Sequence, residues 1–113
     1  MQVRGKTAVI TGGASGIGLA TATALAAEGS RLVLADVRAD DLGAAAERLA
    51  AATDVLAVPT DVSDRASVFE LGERAVDAFG GVDVVFLNAG VGATGPLVDA
   101  TYEDWQWLLG VNL

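Results

Sequence analysis

The stretch TGGASGIG, residues 11–18, places three glycines directly after a short run of apolar residues: Gly12, Gly16 and Gly18. A chain that turns here from a strand into a helix can bring its backbone against a phosphate only if side chains leave the N–H groups of the first helical turn open. The dipole of a helix that begins near Gly16 also favours an anion at this end. The spacing G-x-x-x-G-x-G therefore predicts a strand, a phosphate-binding turn and a helix.

The same order of strand and helix repeats along the rest of the chain. Apolar runs predict strands at residues 6–11, 31–35, 54–58 and 82–87, and amphipathic patterns predict helices at residues 16–28, 40–52 and 64–79, with a last helix opening near residue 101. Strands that alternate with helices in this way form a parallel sheet with right-handed crossovers. We therefore expect an α/β fold of the Rossmann type, a doubly wound parallel sheet of strand order 3-2-1-4, with a ligand crevice between strands 1 and 4.

Some finer features of this fold also follow from the sequence. Ser63 is the expected N-cap of the third helix. Gly29 is expected to end the first helix, and Gly80 and Gly81 are expected to end the third. The helical spacing of the apolar residues predicts a buried stripe on the third helix, formed by Val68, Leu71, Ala75, Val76 and Phe79. Residues 82–87 (VDVVFL) are almost continuously apolar, which predicts a strand buried on both faces.

Composition limits what the chain can do. The 113 residues suffice for one domain, residues 1–113, and they contain neither cysteine nor histidine, so disulfides, thiolate catalysis, structural zinc and a histidine base are excluded. Seven basic and fifteen acidic residues give a net charge of −8, which opposes nucleic-acid binding. We see no apolar run of membrane-spanning length and no cleavable leader, and we expect a cytoplasmic protein without membrane contact.

Asp36 ends the second predicted strand, close to the offset of about twenty residues from a glycine turn that is typical of a ribose-binding carboxylate. It could instead be an ordinary solvated turn residue. A 2′-phosphate about 4 Å from Asp36 would meet a repulsion of about 4 kcal/mol at an effective dielectric constant of about 20, which favours NAD over NADP. Arg38, two residues later, would soften this preference if its side chain turned inward. A Walker-type loop is excluded, because Leu19 follows the last glycine where that loop needs lysine.

The motifs that carry a resemblance to a known family are TGGASGIG, Asp36, Asp61-Val62 after the third strand, and Asn88-Ala89-Gly90 after the fourth. This combination resembles the short-chain dehydrogenase/reductase family, and the glycine spacing is similar to that of its compact branch. The resemblance runs the length of the chain. It implies the N-terminal, cofactor-binding part of an NAD-dependent oxidoreductase that transfers a hydride between nicotinamide and a carbonyl or secondary alcohol.

The resemblance also implies which residues contact the cofactor. The implied contacts follow the four strand ends: Gly12, Ser15, Gly16, Ile17 and Gly18 at the pyrophosphate, Asp36 at the adenosine ribose, Asp61 and Val62 at the adenine, and Asn88, Ala89 and Gly90 at the nicotinamide side. Asn112 matches a catalytic asparagine that holds a water in the family's proton relay. Without the resemblance, Asp61 is a carboxylate favoured by a helix dipole, Asn-Ala-Gly is turn chemistry, and Asn112 is an ordinary helix-end residue.

The sequence departs from the family pattern in its catalytic part. Family members carry a tyrosine acid/base, a lysine four residues later and a substrate-orienting serine, whereas here the only tyrosine is Tyr102, followed four positions later by Gln106, and the only lysine is Lys6. Since family chains are about twice this length, the resemblance implies a Rossmann-type domain that is incomplete at its C-terminus and inactive alone. The alternatives are an inactive dinucleotide-binding or interaction module, and a truncated product.

Two expectations concern partners. The resemblance implies a small alcohol or carbonyl substrate and, in the full-length form, a homo-oligomer. The fourth strand would leave a long apolar sheet edge, and the last helix carries an apolar stripe that includes Trp105, Trp107, Leu108, Leu109 and Val111. We therefore expect the isolated chain to be poorly stable or self-associated.

Overall fold

The computed structural model describes residues 2–90 and, beyond them, residues 101, 103, 106 and 109. Within residues 2–90, strands and helices alternate in the order β1 (Thr7–Thr11), α1 (Gly16–Ala27), β2 (Arg31–Asp36), α2 (Ala39–Leu49), β3 (Val55–Pro59), α3 (Arg65–Phe79) and β4 (Val84–Leu87). The strands form a parallel sheet of order β3-β2-β1-β4. The predicted fold class and strand order are confirmed.

The register of the sheet aligns the carboxyl ends of all four strands. Ile10 pairs with Leu34 on one side and with Phe86 on the other, and Leu34 pairs in turn with Ala57. Because the strands are parallel, the loops that follow them emerge along one edge of the sheet, and the strand order reverses between β1 and β4.

Two apolar clusters cover the two faces of the sheet. Alternate residues of β1 and β2, among them Ile10 and Leu34, pack with α1 and α2 into the first cluster. The intervening residues, among them Val9 and Val33, pack with Leu71 and Ala75 of α3 into the second. Both central strands are thus buried on both faces, which agrees with the uninterrupted apolar residues 8–10 of β1 and 32–35 of β2.

The helix ends agree with the sequence in two cases and differ in one. Gly29 and Gly80 adopt left-handed conformations, with φ of 88° and 81°, as expected for glycines that end helices. The N-cap of α3 is Asp64 and not Ser63: the Asp64 carboxylate accepts a hydrogen bond from the Ala66 N–H at 3.1 Å. Ser63 is engaged elsewhere, because its N–H and hydroxyl both donate to Asp61.

Two burial predictions were wrong in part. Val68 and Val76 of α3 are 43% and 50% exposed, so the buried stripe of this helix is narrower than predicted. In β4, Val84 and Phe86 pack against the first apolar cluster, but Val85 and Leu87 are 56% and 80% exposed. The reason is that α3 packs mainly on β2 and β3, so it leaves the side of β4 that carries Val85 and Leu87 largely exposed.

Part of the predicted last helix lies within the described residues. Glu103, Gln106 and Leu109 are helical, as expected for a helix that opens near Thr101. The residues Tyr102, Trp105, Trp107, Leu108, Val111 and Asn112 lie outside the described residues. Across the part of the chain that is described, no helix combines the length and the apolar character needed to cross a lipid bilayer.

The start of α1 lies very close to the backbone at the end of β1, and this contact helps to position the crevice. A Cβ on Gly18 would fall on the carbonyl oxygen of Gly12 and 2.7 Å from Nδ2 of Asn88. Both obstacles are held in place, since Asn88 Nδ2 donates to that same carbonyl at 3.3 Å. Gly18 therefore lets the helix lie directly against the turn that precedes it.

We expect Gly18→Ala to destabilise the fold by roughly 1–3 kcal/mol, because the added methyl group forces α1 away from Gly12 and Asn88. The free energy of unfolding, from urea denaturation followed by circular dichroism, measures the loss.

Gly43→Ala is the matched control. Gly43 lies inside α2 with open space where its Cβ would be, so the same change should leave stability unchanged or raise it by up to about 1 kcal/mol. Equal stability of the Gly18→Ala chain and the original chain would contradict the packing argument.

Candidate functional site

A cleft of about 730 Å³ opens at the carboxyl ends of the strands. Its walls come from all four strand ends: Gly12, Ser15, Gly16 and Ile17 after β1; Ala35, Asp36, Val37 and Arg38 at β2; Thr60, Asp61, Val62 and Ser63 after β3; and Asn88, Ala89 and Gly90 after β4. This volume suits a small organic ligand. The cleft includes the ends of β1 and β4, between which the sequence predicted a crevice.

The glycine turn, residues 12–16, forms the wall of the cleft next to the start of α1. Gly12 and Gly16 have φ of 66° and 57°, which residues with a side chain rarely adopt. A Cβ on Gly12 would come within 2.9 Å of Asn88 Nδ2, whereas a Cβ on Gly16 would meet nothing within 4 Å. Packing thus explains the absence of a side chain at Gly12 but not at Gly16, where the open space faces the cleft.

The start of α1 is left without a side-chain cap. Ser15 is the N-cap residue and has the extended backbone of that position, yet its hydroxyl makes no capping hydrogen bond to the helix. The hydroxyl instead accepts a hydrogen bond from the guanidinium of Arg38. A helix start without a cap, at the wall of a cleft, is suited to bind an anion through its N–H groups and dipole.

The hydroxyl of Thr11 joins the end of β1 to the exit of β4. Its oxygen accepts hydrogen bonds from the N–H groups of Asn88 and Ala89, both at 3.1 Å, and its hydrogen is directed to the Phe86 carbonyl at 3.4 Å. Thr11 is buried, and it was not singled out in the sequence. Its position as the first residue of the glycine motif, at a strand end, was the available signal.

Asp36 is buried at the end of β2, and both of its oxygens accept hydrogen bonds. Oδ2 accepts from the N–H of Ala14 at 3.1 Å, and Oδ1 accepts from the N–H of Arg38 at 3.1 Å and from Arg38 Nε at 3.4 Å. The carboxylate thus ties the glycine turn to the end of β2. The interpretation of Asp36 as a solvated turn residue is therefore wrong, because its side chain is only 5% exposed.

Asp36 stays ionised despite its burial. Burial by itself raises the pKa of a carboxyl group, but the N–H groups of Arg38 and Ala14 and the guanidinium of Arg38 together hold the pKa of Asp36 below its usual 3.8. The cleft therefore presents a fixed negative charge on the wall next to the glycine turn.

Asp61 follows β3, the strand next to β2, and is exposed. Its Oδ1 accepts hydrogen bonds from the Ser63 hydroxyl at 2.6 Å and the Ser63 N–H at 3.0 Å, and these bonds lower the pKa of Asp61. The N–H of Asp61 donates to the hydroxyl of Ser67 at 2.9 Å. Ser63 and Ser67 thus orient Asp61 at the rim, beside the half-buried Val62.

The structure brings together nearly all of the cofactor residues suggested by the sequence. Gly18 is the exception, because it packs against Gly12 and does not line the cleft. Asn112 lies outside the described residues. Thr60, Ala35 and Val37 line the cleft but were missed. The rule that ligands bind at the carboxyl ends of parallel strands could have found Thr60, which follows β3 directly.

No group of three or more His, Cys, Asp or Glu side chains among the described residues is arranged to hold a metal ion. The charged side chains that line the cleft are Asp36, Asp61 and Arg38.

We expect the hydrogen bonds of Asp36 to make the stability of the chain depend on pH. Since the folded pKa of Asp36 lies below the unfolded value, ionised Asp36 stabilises the fold above about pH 4, and this contribution is lost as the pH falls through the folded pKa. Asp36→Asn should therefore flatten the fall in melting temperature between pH 6 and pH 3. Asp77→Asn, at an exposed carboxylate of α3, is the control. If the melting temperature falls equally steeply with decreasing pH in both variants, Asp36 is not the source of the pH dependence.

Comparison with known proteins identifies relatives over the whole chain. A sequence profile of the short chain dehydrogenases matches residues 6–113. The NADP-dependent (R)-specific alcohol dehydrogenase of Lentilactobacillus kefiri is 40% identical over 112 residues, which are 99% of this chain and 44% of that protein. An uncharacterised oxidoreductase of Listeria monocytogenes is 36% identical over 114 residues, covering 100% of this chain and 46% of its own length.

The fold has a close counterpart among solved structures. A short-chain dehydrogenase/reductase from Burkholderia phymatum, in complex with NAD, superimposes with a TM-score of 0.98 at 46% identity and covers 100% of this chain and 41% of that one. The chain thus spans less than half the length of the relatives that it matches. Since the family profile and the superposition both extend over nearly all of its residues, the chain belongs to the short-chain dehydrogenase/reductase family.

Proposed function

We propose that this chain binds NAD in the cleft and forms the cofactor-holding part of an oxidoreductase that transfers a hydride between nicotinamide and a carbonyl or secondary alcohol. The observation that carries the proposal is the pairing of two groups on neighbouring walls: the uncapped start of α1 beside the open space at Gly16, and the ionised, buried Asp36. One group suits the pyrophosphate of a dinucleotide and the other suits its ribose hydroxyls.

The glycine turn would hold the pyrophosphate. Gly16 and Ile17 open α1, and no side-chain cap occupies the helix start, so N–H groups and the helix dipole can meet the anion. Gly12 and Ser15 form the adjoining wall of the cleft. Gly18 would contribute indirectly, because its missing side chain lets α1 approach Gly12.

Asp36 would accept hydrogen bonds from the hydroxyls of the adenosine ribose, and its negative charge would favour NAD over NADP. The pKa of Asp36 is held below its usual range, so a 2′-phosphate would face a full negative charge. The relatives include both an NAD complex and an enzyme named as NADP-dependent. Arg38, which contacts Asp36 and lines the same cleft, is the group that could moderate this preference.

The walls of the cleft after β3 and β4 would contact the adenine and nicotinamide rings of the cofactor. Asp61, oriented by Ser63, and Val62 are placed for the adenine, and the exit of β4 at Asn88, Ala89 and Gly90 for the nicotinamide side. The strand order supports this orientation, because β2, which carries Asp36, pairs with β3, and β1, which precedes the glycine turn, pairs with β4.

Bound nicotinamide would supply the hydride, while the chain would bind and orient it. We assign Asn112 to the proton relay on the family resemblance alone. The sequence contains no Tyr-x-x-x-Lys, since Tyr102 is the only tyrosine and Lys6 the only lysine. A general acid/base typically accelerates such a reaction by about 10²–10⁴-fold. Without it, this chain alone should bind the cofactor but turn over substrate very slowly.

The substrate would be a small alcohol or carbonyl compound, and the full-length form would be a homo-oligomer. The exposed side chains of Val85 and Leu87 on β4 support association of this side of the sheet with further protein surface. A binding module without catalysis is the alternative, favoured by the missing tyrosine and lysine pair.

We expect the chain to bind NADH more tightly than NADPH in calorimetric titrations. Asp36→Ala should weaken NADH binding by about 10- to 100-fold, because hydrogen bonds from the ribose to a charged acceptor are lost. The preference for NADH over NADPH should fall at the same time, since the repulsion of the 2′-phosphate disappears.

Asp77→Ala removes an equal charge from the exposed face of α3, outside the cleft, and should change neither affinity. Each variant is first shown by circular dichroism to be folded. A folded original chain that binds neither cofactor would overturn the proposed function.

A further inference from the structure

Ser63 lies on the turn between β3 and α3, and its hydroxyl does not cap the helix. The cap is Asp64, whose carboxylate accepts a hydrogen bond from the N–H of Ala66 at 3.1 Å. The Ser63 hydroxyl instead donates to Asp61 Oδ1 at 2.6 Å, beside the Ser63 N–H at 3.0 Å. The start of α3 therefore does not explain why this hydroxyl is present.

The backbone of Asp61 is held at both of its polar groups. Its N–H donates to the Ser67 hydroxyl at 2.9 Å, and its carbonyl accepts a hydrogen bond from the N–H of Asp64 at 3.0 Å. The place of Asp61 along the rim is thus set by the start of α3, and only rotations within its side chain remain. The residue is exposed, so packing restricts these rotations little.

The hydrogen bonds from Ser63 restrict the side-chain rotations instead. Both of the hydrogen bonds that the Asp61 carboxylate accepts from the described residues reach Oδ1, and Oδ2 accepts neither. The hydroxyl and the N–H of Ser63 also hold the pKa of Asp61 below its usual 3.8, so the carboxylate is ionised at neutral pH. Since Asp61 lines the cleft, the turn presents one charged acceptor there, Oδ2, in a fixed orientation.

On the basis of the proposed function, we propose that Ser63 is a positioning residue for the base of the cofactor: its hydroxyl holds Asp61 so that Oδ2 accepts a hydrogen bond from the exocyclic amino group of adenine. A carboxylate can only accept, so it favours a purine that carries a donor at this position. Hypoxanthine carries a carbonyl oxygen there, which would face the carboxylate as a second acceptor. The hydroxyl of Ser63 thus affects one contact of the ligand through Asp61.

A purely structural role for Ser63 has a different consequence. If the hydroxyl serves only to stabilise the turn, its removal lowers the affinity for every dinucleotide by the same factor. If the hydroxyl positions Asp61, the loss is confined to ligands that carry the amino group. NADH and deamino-NADH, in which hypoxanthine replaces adenine, separate the two cases because they differ only in the base.

Calorimetric titrations of the 113-residue chain provide the test. The original chain should bind NADH about three- to tenfold more tightly than deamino-NADH, the range expected for one hydrogen bond. Ser63→Ala, which keeps the N–H but loses the hydroxyl, should weaken NADH binding by about two- to fivefold and leave the affinity for deamino-NADH unchanged. Ser63→Thr should restore NADH binding, because threonine returns the hydroxyl. Thr23→Ala, which removes an exposed hydroxyl of α1 outside the cleft, should change neither affinity.

A measurement without ligand follows the hydrogen bond itself. In an NMR titration of the Asp61 carboxyl carbon, the pKa of Asp61 should be higher in Ser63→Ala than in the original chain and in Ser63→Thr, because a bond that favours the ionised form is lost. An unchanged pKa of Asp61 in Ser63→Ala would overturn the inference.

Two results of the titrations with ligand would also overturn it: equal losses of affinity for NADH and deamino-NADH in a folded Ser63→Ala chain, or equal affinities of the original chain for the two ligands. The comparison on the original chain does not depend on how any variant folds. All of these outcomes differ from failure of the proposed function, in which the original chain binds neither NADH nor NADPH.

Discussion

The structure depends on one close approach, that of α1 to the carbonyl of Gly12. Because Gly18 has no side chain, the first turn of the helix lies against the end of β1, and the amide of Asn88 fits over the same carbonyl. This contact fixes three parts of the cleft relative to one another: the helix start, the glycine turn and the exit of β4. A side chain at Gly18 would separate all three at once.

Polar atoms at the strand ends then hold the walls of the cleft together. The Asp36 carboxylate joins β2 to the glycine turn through the N–H of Ala14, and the Thr11 hydroxyl joins β1 to the exit of β4. Both groups are buried and bonded to backbone N–H groups. The same atoms therefore satisfy the backbone of the loops and shape the surface that a ligand would meet.

The sequence predicted the sheet order and most of the cleft because these features follow from local patterns: apolar runs, the glycine spacing and the ends of parallel strands. It failed where the outcome depends on contacts between distant residues. The exposure of Val85 and Leu87 depends on which helices cover β4, and the N-cap at Asp64 depends on Ser63 being bonded to Asp61. The hydrogen bonds of Arg38 with Asp36 and Ser15 depend on rotamers that spacing does not reveal.

The bonds between Asn88 and the glycine turn also bear on how the chain folds. They join residues 76 and 77 positions apart, whereas β1 and β2 pair at much shorter separations. Closing so long a loop costs more chain entropy, so we expect β1, β2 and β3 to assemble first and β4 to dock afterwards. The wall at the exit of β4 would then be the last part of the cleft to form, so a ligand that contacts all four strand ends would find its complete site only late in folding.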